Sequence, residues 1–149
     1  MTQVYVSIGS NINAEENITL VTSKLEKLFT CSFSDQFHSK AIGFKGRDFL
    51  NLVVGFKYKS DPYSLNNILK NIEIEMGRDQ DQKGMSDRII DLDIIVFGKL
   101  IIQDKDFSIP SQDIKNHLYV LEPLAQIAEK QIHPVFNISF GEMLKEKLR

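Results

Sequence analysis

The order in which strand and helix patterns follow one another is the strongest constraint on the fold of this chain. Alternating apolar residues predict four strands, at about 4–8, 31–37, 49–58 and 89–97. Apolar residues at helical spacing predict a helix after a capping box of Asn13 and Glu16, and a second helix after Asp61-Pro62. The resulting order, β-α-β-β-α-β, is typical of the ferredoxin-like arrangement. We therefore expect an α+β fold, with an antiparallel sheet, helices on one face and a C-terminal extension.

Length and composition fit one globular domain. The chain has 149 residues, of which 42% are apolar and 26% are charged. Neither a repeat nor a Pro- or Ser-rich linker divides it, so we treat residues 1–149 as a single domain. Beyond the fourth strand, the pattern predicts a hairpin over 100–109 and a short helix near 123–128.

Charge and cysteine content exclude several classes of protein. The chain carries 18 Lys and Arg against 20 Asp and Glu, whereas a nucleic-acid-binding domain is normally basic. No apolar run approaches the length of a membrane span, and Met1 leads into a strand pattern rather than a signal peptide. The single Cys31 cannot form an intramolecular disulfide. We expect a cytoplasmic monomer that binds small molecules, with no nucleic-acid or membrane partner.

The tripeptide Asp91-Leu92-Asp93 carries the strongest chemical signal. Side chains alternate along a strand, so Asp91 and Asp93 share a face that continues to Ile95 and Phe97. Two carboxylates crowded on such a face repel each other unless a cation lies between them. Hard oxygen ligands suit Mg²⁺, which typically binds one or two carboxylates and substrate phosphates. The alternative is a solvated strand end at which both aspartates face water.

Basic residues flank this pair of aspartates. Arg78 follows the second helix and Arg88 precedes the fourth strand, and their guanidinium groups could bind phosphate oxygens bidentately. Glu73, one helical turn before Gly77, could add a carboxylate. The arginines could instead pair with aspartates at the surface. Because neither G-x-x-x-x-G-K-[ST] nor G-x-G-x-x-G occurs, phosphate binding here would depend on metal and arginines.

A second candidate site lies on the third predicted strand. Phe49 and Asn51 share a face there, and a flat heterocycle could stack on Phe49 and hydrogen-bond to the Asn51 amide. The alternative is an Asn51 side chain bonded to neighbouring backbone. The histidines, at positions 38, 117 and 133, lack zinc-ligand spacing, and no motif marks a Ser-His-Asp or Cys-His nucleophile.

These segments together resemble the 6-hydroxymethyl-7,8-dihydropterin pyrophosphokinases of folate biosynthesis. The resemblance runs from Gly9 to Pro134, and its most specific part is the stretch from Arg88 to Ile94, with Gly77-Arg78 ten residues upstream. It implies a ferredoxin-like transferase that moves pyrophosphate from MgATP to the hydroxymethyl group of a reduced pterin and releases AMP.

The resemblance also implies roles for individual residues. Asp91 and Asp93 would hold two Mg²⁺ ions and would act in catalysis together with Arg78 and Arg88. The residues that it places at ATP are Lys70, Glu73, Arg78, Arg88, Ile94, Ser111, Gln112 and His117. The residues that it places at the pterin are Ser39, Ile42, Phe49, Asn51, Asp91 and Tyr119.

Several positions depart from the residues usual in this family. Ser111-Gln112 replaces a common His followed by an aromatic residue, and His117 stands where an Arg commonly meets phosphate. Two rival functions therefore stay open. One is nucleotidyl transfer or cyclisation on a similar two-metal fold, and the other is a pterin- or nucleotide-binding domain with weakened catalysis. The loops at 40–48 and 78–87 are expected to close over the site.

Overall fold

The computed structural model describes residues 1–41, 45–77, 89–105 and 107–149, which contain seven strands and five helices. The strands are β1 (Thr2–Ser10), β2 (Ser32–Phe33), β3 (Phe37–Ser39), β4 (Phe49–Tyr58), β5 (Asp91–Phe97), β6 (Ile102–Gln103) and β7 (Ser108–Ile109). The helices are α1 (Ala14–Leu28), α2 (Pro62–Glu75), α3 (Asp113–Asn116), α4 (Leu118–Ala128) and α5 (Phe140–Lys147). No helix among the described residues is both long and apolar enough to span a membrane.

The main sheet has the strand order expected for a ferredoxin-like fold. Its order is β2-β4-β1-β5, with β3 also paired to β4, and all of these pairs are antiparallel. β1 is therefore central, and β5 forms one edge of the sheet. β6 and β7 form a separate hairpin within the region where the sequence predicts one.

Helices pack on both faces of the sheet. α1 and α2 bury Ile18, Val21, Leu25, Leu65 and Leu69 against one face, as predicted for the two helices of the β-α-β-β-α-β core. The C-terminal extension covers part of the other face with α3, α4 and α5, whose apolar side chains pack against Tyr5 and Val53. The sequence pattern predicts only the end of α4, and α3 and α5 are findings of the structure.

The local signals around α2 are confirmed. The Asp61 carboxylate accepts a hydrogen bond from the Ser64 N–H at 2.8 Å and caps the helix, while Pro62 occupies the first helical position. Gly77 ends the helix with φ of 97°, a conformation that favours glycine. β4 has the bounds expected from its pattern of aromatic and β-branched residues.

The capping box predicted at the start of α1 is wrong. Asn13 is left-handed, with φ of 44°, and its side chain makes no cap hydrogen bond. The turn from β1 into α1 therefore depends on Asn17, whose side-chain amide donates to the Ile12 carbonyl at 2.6 Å.

The single strand predicted over 31–37 is also wrong. The ladder is interrupted after β2 because the Ser34 hydroxyl accepts from the Val53 N–H at 2.9 Å, and the Asp35 N–H donates to Gln126 on α4 at 2.7 Å. These side-chain contacts interrupt the pairing with β4 at the residues that lie between β2 and β3.

The prediction that Phe97 shares a face with Asp91 and Asp93 is also wrong, because β5 contains a β-bulge. The register between β1 and β5 shifts between Tyr5 and Val6, which leaves an extra residue, Ile95, in β5. Ile95 stays on the face of Asp91 and Asp93, but Phe97 packs into the core beneath α1 and α2.

Candidate active site

Three neighbouring strands bring Asn51, Gly9 and Asp91 into one row across the sheet. Gly9 on β1 pairs with Asn51 on β4 and with Asp91 on β5. A methyl group at position 9 would lie 3.4 Å from Asn51 Oδ1 and 3.8 Å from a ring carbon of Phe49. Because glycine has no side chain, the floor between the amide and the carboxylate is open. The residues of the two sites expected from the sequence therefore lie next to each other on the sheet.

The carboxyl of Asp93 lies among acidic neighbours and one lysine. Burial and the nearby charge of Asp91 raise the pKa of Asp93 to about 7, and Glu73 adds to the effect. Lys70 opposes the shift, with its Nζ 3.6 Å from Asp93 Oδ1. The Asp93 side chain is nevertheless 48% exposed, so an ion has access to it from solvent.

Helix α2 holds the outer edge of β5 next to this carboxyl. Glu73, which is 2% exposed, accepts a hydrogen bond from the Leu92 N–H at 2.7 Å, and Lys70 Nζ donates to the Leu92 carbonyl at 3.0 Å. An edge strand has no neighbour for these backbone groups. Lys70 also lies 3.3 Å from Glu73. The strand segment that carries both aspartates is therefore fixed by two side chains of one helix.

The donor set of this edge fits Mg²⁺. No group of three or more His, Cys, Asp or Glu side chains suited to a metal occurs among the described residues. Asp91 and Asp93 are close neighbours, and a hydrogen bond between their carboxyls contributes to the raised pKa of Asp93. Mg²⁺ commonly binds through one or two carboxylates and completes its shell with water and phosphate oxygens. The carboxylate pair suits that mode of binding.

The amide of Asn51 is oriented by its neighbours on β3. Its Nδ2 donates to the Phe37 carbonyl at 3.1 Å and to the Ser39 hydroxyl at 2.8 Å. Because a carbonyl can only accept, the nitrogen must face Phe37, and Oδ1 faces the open floor above Gly9. The backbone contact weighed from the sequence is therefore present, and it leaves the carbonyl oxygen of the side chain directed towards the site.

The segment after β7 brings further predicted residues to the same side. The Ser111 N–H donates to the Ile95 carbonyl on β5 at 2.9 Å, and its hydroxyl accepts from the Asp113 N–H at 3.1 Å. Tyr119, at the start of α4, is half-buried, and burial, followed by the charges of Asp113, Asp91 and Asp93, raises its pKa. Tyr119 therefore lies within electrostatic range of the carboxylate pair.

Other predicted residues are placed elsewhere or lie outside the described residues. The Ile94 side chain is buried in the core beneath α1 and α2, on the face opposite Asp93. Gln112 is exposed before α3. Arg78, Arg88 and Ile42 lie outside the described residues, as do residues 43 and 44 of one predicted loop and the whole of the loop at 78–87.

Two polar residues that were not singled out in the sequence lie at the end of β1, beside the candidate site residue Gly9. The buried Ser10 donates from its hydroxyl to the Ile89 carbonyl, just before β5. Asn11, which is 2% exposed, donates from its amide to the Arg47 carbonyl at 3.1 Å. These two hydrogen bonds join the segments just before β4 and β5 to the end of β1. Their signal in the sequence was a polar Ser-Asn pair at a strand end.

A ferredoxin-like sheet with a carboxylate pair beside an oriented amide fits the class of enzymes that transfer phosphoryl groups to small molecules. Comparison with known families makes the assignment specific. The sequence model of the family described as 7,8-dihydro-6-hydroxymethylpterin-pyrophosphokinase matches residues 5–129, and the chain belongs to this family.

Individual relatives agree with the family assignment. The chain is 30% identical over 151 residues to a 2-amino-4-hydroxy-6-hydroxymethyldihydropteridine pyrophosphokinase of Haemophilus influenzae, covering 98% of this chain and 93% of that protein. It is also 30% identical to the enzyme of the same name from Aquifex aeolicus, with 98% and 92% covered. The folic acid synthesis protein FOL1 of Dictyostelium discoideum is 34% identical over 94% of this chain, which spans 22% of that longer protein.

Membership of this family identifies the reaction that the chain catalyses. The chain is an ATP-dependent pyrophosphokinase that transfers pyrophosphate to the hydroxymethyl group of a dihydropterin in folate synthesis. Enzymes of this family use ATP, generally with Mg²⁺.

Proposed function

We propose that the pyrophosphate transfer takes place at the floor above Gly9, with ATP on the side of β5 and the pterin on the side of β4. The observation that carries this proposal is the row of Asn51, Gly9 and Asp91, which sets an oriented amide and a carboxylate pair on either side of an open floor. Each side suits one substrate, and the reacting groups would meet between them.

On the β5 side, we assign Asp91 and Asp93 as ligands of two Mg²⁺ ions. Bound Mg²⁺ would neutralise phosphate charge and orient the attacking and leaving oxygens. The raised pKa of Asp93 supports this role, because a carboxyl that is costly to ionise alone gains most from a cation. Lys70 partly offsets that charge already. Both aspartates are ligands rather than general bases on this account.

The ATP phosphates are assigned to the cationic and hydroxyl side chains around this pair. Lys70 borders the pair from α2, where Glu73 lies 3.3 Å from its Nζ, and Ser111 adjoins β5 through the Ile95 carbonyl. Arg78 and Arg88 keep the phosphate-binding role that the family resemblance implies. In this arrangement the guanidinium groups would bind non-bridging oxygens bidentately, while α2 holds β5 in position.

On the β4 side, we assign the pterin to Asn51, Phe49, Ser39 and Tyr119. Asn51 Oδ1 would accept from an N–H on the edge of the heterocycle, since its Nδ2 is already engaged by Phe37 and Ser39. Phe49 and Tyr119 would stack on the two faces of the ring. This orientation directs the hydroxymethyl oxygen across Gly9 towards the β-phosphorus of ATP, and AMP leaves.

The metal assignment is tested by Asp93→Asn. We expect a folded protein, because the amide keeps the size of the side chain and removes the repulsion from Asp91 and Glu73. Turnover should fall by about a thousandfold, since misplaced metal loses several kcal/mol of charge stabilisation. Steady-state AMP release measures the turnover of both proteins, and a Mg²⁺ titration of the same reaction measures its dependence on the metal.

Glu26→Gln on the exposed surface of α1 is the matched control, and it should leave both quantities unchanged. An Asp93→Asn protein with turnover and Mg²⁺ dependence like those of the parent would remove Asp93 from the metal site.

We further propose that the enzyme acts in the cytoplasm as a monomer. The lone Cys31 needs no oxidising compartment. Light scattering after gel filtration tests the monomer, and a dimer mass would contradict it.

A further inference from the structure

His117 occupies a single extended residue between two helices. It follows α3 and precedes α4, with φ of −135° and ψ of 119°. The helical path is therefore broken at His117, two residues before Tyr119.

The two rings are stacked. Their centroids are 4.8 Å apart, and the planes differ by 20°, a separation at which aromatic pairs attract each other. One face of the Tyr119 ring is thus backed by the imidazole.

His117 is itself held from the other direction. Its side-chain Nε2 lies 3.8 Å from Asp113 Oδ1, one helical turn earlier. Its backbone N–H donates to the backbone carbonyl of Asp113 at 2.9 Å. Asp113 in turn is bonded through its own N–H to the Ser111 hydroxyl at 3.1 Å. The segment from Ser111 to Tyr119 is therefore a connected support that ends in an aromatic ring.

We propose that His117 is a positioning residue for the pterin. Its imidazole packs against one face of the Tyr119 ring and fixes the plane on which the heterocycle stacks. This inference rests on the proposed function, because it takes Tyr119 as one wall of the pterin site. It gives His117 a role other than the phosphate contact expected from the family resemblance. A ring held in its binding orientation loses less conformational freedom when the ligand arrives.

The test separates the two substrates. Calorimetry would measure 6-hydroxymethyl-7,8-dihydropterin and a non-hydrolysable MgATP analogue, each alone, on the parent, His117→Ala and His117→Phe. We expect His117→Ala to weaken pterin binding by about threefold to tenfold, the effect of one aromatic pair. His117→Phe keeps a flat ring and should stay within about twofold of the parent. Binding of the ATP analogue should change by less than about twofold in both variants.

A double variant makes the assignment specific to Tyr119. In a Tyr119→Ala background, His117→Ala should cause no further loss of pterin binding, because the Tyr119 ring against which His117 packs is already absent. An additional loss of the full size in that background would overturn the inference. So would a loss of ATP-analogue binding in both single variants with pterin binding intact, which would make His117 a phosphate contact.

Failure of the proposed function has a different signature. A parent protein that binds the ATP analogue but no pterin would contradict the pterin site itself. A parent that binds both, with pterin affinity equal in all His117 variants, would contradict only the positioning role.

Discussion

At the scale of single residues, Asn51 is the side chain to which we assign recognition of the pterin. Its nitrogen is occupied within the protein, and its oxygen faces the floor of the site. Replacing it by alanine should weaken pterin binding by about 1–3 kcal/mol, because a ring N–H would lose its acceptor. Binding of the MgATP analogue should not change, and calorimetry on each ligand separately measures both.

Asn71→Ala, on an exposed position of α2, is the control for amide loss in general. Equal losses for pterin and nucleotide in Asn51→Ala would mean that Asn51 supports the sheet and does not recognise the heterocycle.

Residue-scale prediction from sequence succeeds where chemistry is local. Asp61 caps its helix because its carboxylate reaches a first-turn amide three residues on. The pairing of Lys70 with Asp93 joins residues that are 23 positions apart and depends on how α2 lies along β5. No pattern in either segment specifies that distance.

At the scale of elements, the buried carboxylate of Glu73 is one of two α2 side chains that hold β5. Glu73→Ala removes the acceptor of the Leu92 N–H and should lower the free energy of unfolding by about 1–3 kcal/mol. Glu73→Gln keeps a carbonyl oxygen at the same place and should lose less. Urea unfolding measures the difference.

Glu75→Ala lies on the same helix, where the side chain is 63% exposed and pairs with Lys24. It should cost less than about 0.5 kcal/mol. If Glu73→Ala cost no more than this control, the edge of β5 would not depend on α2.

The turn between α4 and α5 makes stability depend on pH. His133 is buried, burial lowers its pKa, and its Nδ1 accepts from the N–H groups of Val135 and Phe136 at 3.1 and 3.2 Å. The unfolded chain takes up a proton near pH 6.5, and the folded protein does so only at lower pH. The contribution of His133 to stability should therefore fall as the pH drops through about 6.5, whereas Asp93, whose pKa is raised to about 7, contributes a slope of opposite sign.

A matched pair of variants isolates this effect. His133→Asn offers a non-titrating oxygen to the same turn and should remove the His133 contribution to the unfolding free energy between about pH 7.5 and 5.5. The variant should keep the opposite slope that Asp93 contributes over this range. His38→Asn, at an exposed histidine on β3, should follow the parent curve. Parallel curves for the parent and His133→Asn would contradict a neutral, buried His133.

Element prediction failed where tertiary contacts override a local pattern. The apolar alternation over 31–37 is present, but Ser34 and Gln126 take the hydrogen bonds of a continuous strand. The facing of Phe97 changes because β5 carries an extra residue opposite β1. Both depend on partners that are distant in sequence.

At the scale of the whole molecule, the order of elements and the sheet topology follow from the sequence, because each strand and helix carries its own periodicity. The position of Asn51 and Asp91 on either side of Gly9 does not follow from the sequence in this way. It depends on the register that sets Gly9 between Asn51 and Asp91, and pairing register is a property of three strands together. The covering of the second face by the C-terminal helices likewise depends on packing with Tyr5 and Val53.

We expect the open floor above Gly9 to be the place where a pterin is joined to the β-phosphorus of ATP. In the experiment, ATP labelled with ³²P at the β-position is incubated with Mg²⁺ and 6-hydroxymethyl-7,8-dihydropterin. The label should move to the pterin while unlabelled AMP is released in equal amount. Label released as free pyrophosphate would mean attack at the α-phosphorus, and label that stays in ATP would mean that no transfer takes place. Either result would rule out transfer of pyrophosphate to the pterin by this protein.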